Sequence, residues 1–185
     1  MISKRKVSDP DNIVTGQMNL IFRGRMLWRD MAMWLTIYMF ALFGGYPNVQ
    51  TIADQIYKLP FEYGNVMKLI FGDKVSDDYI NLVSQYVIIL EYLFYYQLTG
   101  DQNNAGNYTQ QLYQNISQRA AFLAQINPYW QESTWRTLLT TFNNMILEES
   151  TALLTKEYEK SIDIFNNLLS QSSIIGDYFS EGILQ

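Results

Sequence analysis

Apolar residues recur at three- and four-residue intervals through most of this chain, and that spacing predicts helices rather than strands. Leu27, Met31, Trp34, Leu35, Tyr38 and Leu42 trace a first long helix over about 25–43. Met33, Ile37 and Phe40 fill its other face, so it is apolar nearly all round, the pattern of a buried central helix or a membrane span. Gly44-Gly45 ends it and Pro47 blocks its resumption. Two short helices follow. Asn48 can cap "VQTIADQIYKL", and Pro60 stops that segment and opens "PFEYGNVMKLIF", which Gly72 closes.

Ser76-Asp77-Asp78 starts a second long helix that runs to about 98, its acidic first turn suited to the positive helix end. "DQNNAGN" reads as a connecting loop. A third long helix covers about 108–126, a fourth about 132–154 and a fifth about 157–179, with Asn127-Pro128 as the break between the third and fourth. Residues 1–24 lack strong helical periodicity and read as an extended or partly helical arm. The expected architecture is an all-α, up-and-down antiparallel bundle of about five long helices plus two short ones. It forms a single domain over 25–185, with the arm over 1–24 outside it.

An internal echo runs at an offset of 56 residues, relating Gly72 to Pro128, Tyr79 to Trp135, Leu82 to Leu138, Val83 to Leu139 and Tyr86 to Phe142. It pairs the second long helix with the fourth and the third with the fifth. Amphipathic helices can produce such matches without a repeat.

No charge occurs from Met31 to Ala53, which raises the question of a transmembrane helix. The apolar part, from Met31 to Phe43, spans only ~20 Å at ~1.5 Å per residue. A hydrocarbon core is ~30 Å thick. Gly-Gly-Tyr-Pro breaks the helix at one end, and Arg29 and Asp30 bound it at the other. The stretch is therefore expected to be the spine of a bundle and not a membrane span. "MISKRKVSDPDN" lacks the apolar segment of a secretory signal, so the expected location is cytoplasmic.

The chain has no Cys and no His. That removes thiolate and imidazole metal sites and the Ser-His-Asp and Cys-His nucleophile systems. It contains neither GxxxxGK[ST] nor GxGxxG. Charge is sparse and uneven: the first thirty residues balance at +3, with Lys4, Arg5, Lys6, Arg23, Arg25 and Arg29 among them, leaving −8 on the remainder. A basic arm on an acidic body suits docking onto a neighbouring copy, and the acidic body argues against duplex nucleic acid as a partner.

Two groups of side chains could carry function. Asp30, Glu91, Glu149 and Asp177 each lie beside apolar stripes on different helices, and their convergence would build an oxygen-only metal or ligand site. The leading reading of each is a solvated flank position or the partner of Arg29, Arg119 or Arg136, and a carboxylate-lined metal- or ligand-binding bundle is the alternative. The second group is aromatic: "EYLFYYQL" and Tyr129-Trp130 carry more rings than one face can bury, and exposed rings favour association.

The order and spacing of "LWRDMAMWLT", "YGNVMKLIFGD", "NISQRAAFLAQINPYW", "LTKEYEKSIDIF" and "GDYFSEGIL" resemble a family of small, uncharacterised, all-helical bacterial proteins. Some members carry an acetylglutamate kinase label although they too lack a phosphate loop. The resemblance runs over about 26–184. It implies His on three long helices, at positions held here by Met31, Tyr86 and Phe142, and acidic residues at Glu149 and Asp177. Loss of all three His implies that any metal or proton chemistry of the family is lost in this chain.

The expected function is accordingly non-enzymatic, with no cofactor. The chain is read as a structural or interaction protein that self-associates as a homo-oligomer through its arm and an aromatic, Asn/Gln-rich surface. The residues expected at that interface are Lys4, Arg5, Lys6, Ile21, Phe22, Tyr95, Tyr96, Tyr129 and Trp130.

Overall fold

Helix-breaking residues divide the chain into rods whose apolar faces pack on one another. The computed structural model describes residues 15–185. Its helices are α1 (Thr15–Phe43), α2 (Val49–Ile56), α3 (Leu59–Phe71), α4 (Asp73–Thr99), α5 (Gln102–Ile126), α6 (Glu132–Leu154) and α7 (Tyr158–Leu184). The five long rods and two short ones are those expected, and no strand occurs among the described residues.

The chain runs up and down through α4, α5, α6 and α7, and α1 closes the bundle by packing along α7 and against α6. The short helices bridge α1 and α4. At the centre, Trp28 meets Tyr63 edge-on at 5.3 Å and Phe142 at 5.9 Å, and Tyr63 lies 6.2 Å from Tyr79. The Tyr63 hydroxyl donates to the Leu27 carbonyl at 3.0 Å, which satisfies the polar end of a buried ring.

Three sequence expectations change. The boundary expected at 24 moves, because α1 starts at Thr15 and residues 15–24 belong to it. Its third turn is held by tertiary packing: Gly24 is buried against Ser180 and Gly176 of α7. A Cβ on Gly176 would stand 2.6 Å from the Arg25 backbone, so the two helices cross at a distance that only glycine permits. Lys4, Arg5 and Lys6 lie outside the described residues.

The loop expected at "DQNNAGN" is largely helix. Gly100 ends α4 in the left-handed region at φ 75°, and the Asp101 side chain at once caps α5, accepting from the Asn104 backbone N–H at 3.1 Å. The third change concerns α1, which is not buried all round. One face points to solvent along its length.

The echo at offset 56 has a structural counterpart. The Asn115 side-chain amide of α5 donates to the Leu82 carbonyl of α4 at 2.9 Å. The Gln171 amide of α7 donates to the Leu138 carbonyl of α6 at 3.2 Å. Both partners are displaced by 56 residues, so the hairpins α4–α5 and α6–α7 carry the same interhelical bond. Leu90 and Ile146 share a fully buried slot across the two hairpins, as do Leu93 and Glu149.

Candidate functional site

The four carboxylates do not converge, so the alternative of a carboxylate-lined chamber finds no support among the described residues. Three of them bond elsewhere, and among the described residues no group of three or more acidic side chains could hold a metal ion. Asp177 pairs with Arg25, whose Nη2 donates to Oδ2 at 2.9 Å, and so links α7 to α1 at the surface. Asp30 is half-buried, and its pKa is raised by burial and by Glu62, with Arg29 opposing. Glu91 accepts a hydrogen bond from the Tyr57 hydroxyl.

Glu149 is the anomaly. It is fully buried on α6, its Oε2 accepts from Thr36 Oγ1 of α1 at 3.0 Å, and its Oε1 has no hydrogen-bond partner. Burial pushes its pKa up to about 7, with the Thr36 bond opposing. The slot it fills holds Leu93 in the other hairpin.

The three positions where the family resemblance implies His are core. Met31, Tyr86 and Phe142 are all buried. Tyr86 lies under the guanidinium of Arg119, 4.1 Å from its ring centroid, and Arg119 is itself buried. The Tyr86 hydroxyl and Arg119 Nε and Nη2 find no partner. Burial raises the Tyr86 pKa, with Arg119 opposing. A cation over a ring face recovers part of the cost of burying the charge.

The expected interface residues divide. Phe22 and Tyr129 are well exposed, Tyr95 is 51% exposed, and Ile21 and Tyr96 are half-buried. Trp130 is corrected: it is only 2% exposed and packs on Phe71, Trp135 and Phe179 at ring distances of 5.2–5.7 Å. Its position just after the Asn127-Pro128 break suggested exposure. The Asn127 amide instead anchors the turn to the Gly182 carbonyl at 2.8 Å and folds Trp130 inward.

Sequence reasoning missed the surface of α1. Met18, Phe22, Met26, Met33, Ile37 and Phe40 are 37–64% exposed. At ~100° per residue they fall within a ~100° sector ~33 Å long, a stripe crossed near its middle by the half-buried Arg29. The spacing was legible, but an all-round apolar helix does not declare which face lacks a neighbour. A second exposed row, Ile88, Tyr92, Tyr95 and Leu98, runs along the end of α4. There, Tyr92 and Tyr96 stack on Tyr108 at 5.2 and 5.5 Å.

No helix among the described residues is long and apolar enough to cross a membrane. No protein-family model matches the chain, and no similar protein was found among curated proteins or solved structures.

Proposed function

We propose that this chain is a non-enzymatic interaction protein that self-associates through the exposed apolar stripe of α1. The observation that carries the reading is the stripe itself. At roughly 200 Å² for a fully exposed side chain of this size, its six members present roughly 550 Å² of apolar surface. That is about two-thirds of the ~800 Å² per partner of a standard stable interface. Side chains beside the stripe would supply the rest.

A second copy is the occupant that the charge distribution favours. The +3 segment containing the start of α1 faces a remainder at −8, so two copies attract when that end of one approaches the body of the other. The basic residues Lys4, Arg5 and Lys6 would add to this attraction. The same reading retains the resemblance to the helical bacterial family, with Met31, Tyr86 and Phe142 as packing residues in place of the family's His.

Sedimentation equilibrium of the full chain tests the proposal, alongside a Phe22→Glu/Ile37→Glu double variant. The wild type should sediment as a dimer or larger and the variant as a monomer with unchanged far-UV circular dichroism. A wild type that stays monomeric at high concentration overturns the reading. Deleting residues 1–14, and not 1–24, tests the arm separately, because 15–24 belongs to α1.

A further inference from the structure

A groove between α1 and α4 combines features that the self-association reading does not use. It is lined by Tyr38, Leu42, Glu91, Tyr92 and Tyr95 and has a volume of about 230 Å³. Beneath it lies a small hollow of about 10 Å³, with Tyr38 and Glu91 common to both and Leu35, Tyr57 and Phe94 among its walls. The hollow has room for about one water molecule.

Glu91 is half-buried here and receives the Tyr57 hydroxyl on Oε2. None of the ion pairs among the described residues involves it. The rings around it are held in place. Tyr38 is buried 6.4 Å from Phe94, and Tyr92 is stacked on Tyr108 at 5.2 Å. The Tyr38 and Tyr57 hydroxyls remain protonated in this setting: burial and the nearby Glu91 charge raise the Tyr38 pKa to about 12 and also raise that of Tyr57.

We infer that this groove binds a small organic ammonium ion, its charged head at Glu91 among the tyrosine faces and its alkyl part against Leu42. Aromatic faces carry negative quadrupole potential and attract cations, as does the carboxylate, so both components select the same sign of charge. One carboxylate among neutral rings falls short of the oxygen-rich cage that calcium takes. The volume lies below the ~300 Å³ at the lower end of drug-sized pockets, which limits the ligand to a head group with a short tail. If the Tyr57–Glu91 bond only tethered α2 to α4, it would need neither the open groove nor the rings beside it.

The test is isothermal titration of the full chain with tetramethylammonium, choline and n-butylammonium, with 3,3-dimethylbutanol as a neutral isostere of choline. Saturable binding of at least one ammonium probe is expected, with choline at least about tenfold tighter than the alcohol. Glu91→Gln should weaken binding about tenfold, and Tyr95→Leu about fivefold. Tyr95→Leu leaves the Tyr57–Glu91 bond in place, so it remains informative if Glu91→Gln perturbs folding. Repeating the titration on the Phe22→Glu/Ile37→Glu variant separates this site from self-association. The inference is overturned if no ammonium probe saturates, if the alcohol binds as tightly as choline, or if Tyr95→Leu and a folded Glu91→Gln both bind like wild type.

Discussion

Replacing Glu149 by Gln should change how the stability of this protein depends on pH. The carboxyl is fully buried, and its pKa rises from 4.5 to about 7 because burial disfavours the anion. In the unfolded chain the group ionises near its ordinary value. Between these two values the native state holds a proton that the unfolded state has released, so stability falls as pH rises through the window. The contribution is fully present below pH 4.5 and lost by about pH 8. At ~1.4 kcal/mol per pKa unit, the loss amounts to about 3 kcal/mol.

Gln keeps an oxygen that can accept from Thr36 Oγ1, and it does not titrate. Urea unfolding followed by circular dichroism, at fixed protein concentration and stepped pH, should give nearly parallel free energies for the two proteins in acid. The curves should then separate by about 3 kcal/mol in favour of Gln by pH 8, with similar denaturant slopes. In thermal scans, at ~2–4 °C per kcal/mol for a chain of this size, the gap is roughly 10 °C. Other titrating groups cancel in the comparison. Parallel profiles across the whole range would refute the reasoning, and a gap that widens in favour of wild type would show that the native state prefers the anion.

Two further predictions concern the core. Gly176→Ala should cost about 2–3 kcal/mol in urea unfolding, since the new methyl meets backbone atoms of Arg25 at 2.6 Å and a backbone cannot rotate away as a side chain can. A Gly176→Ala protein as stable as wild type would show that α1 and α7 can separate freely at this crossing. Tyr86→Phe should be neutral or stabilising by about 1 kcal/mol, because it removes a buried hydroxyl with no partner. Tyr86→Leu should cost about 2 kcal/mol or more through loss of the ring beneath Arg119. Equal losses in the two Tyr86 variants would indicate that the hydroxyl, and not the ring, matters there.

Much of the fold was legible in the sequence because helix periodicity and helix ends are local. Pro60, Gly72, Thr99-Gly100 and Asn127-Pro128 mark breaks that the structure keeps within a residue or two. The offset of 56 residues was also visible, and the paired amide-to-carbonyl bonds of Asn115 and Gln171 give it a geometry. Less of the candidate site was legible. Asp30, Glu91, Glu149 and Asp177 were recognisable as carboxylates beside apolar stripes, but only the packing separates them. It gives one to an arginine, one to a tyrosine and one to a threonine in the core.

By itself, then, the sequence determined the number of rods, the breaks between most of them and the absence of imidazole and thiol chemistry. Backbone propensity, breakers and residue inventory need no knowledge of distant contacts. Tertiary structure alone decided which face of α1 meets water, why α1 begins at Thr15 and not near Arg25, and why Trp130 turns inward. Each of these depends on a neighbour remote in the chain: Gly176 and Ser180 beside Gly24, and Gly182 beside Asn127. A helix that is apolar on every side has no internal preference for the side it buries, and only the placement of the other helices supplies one.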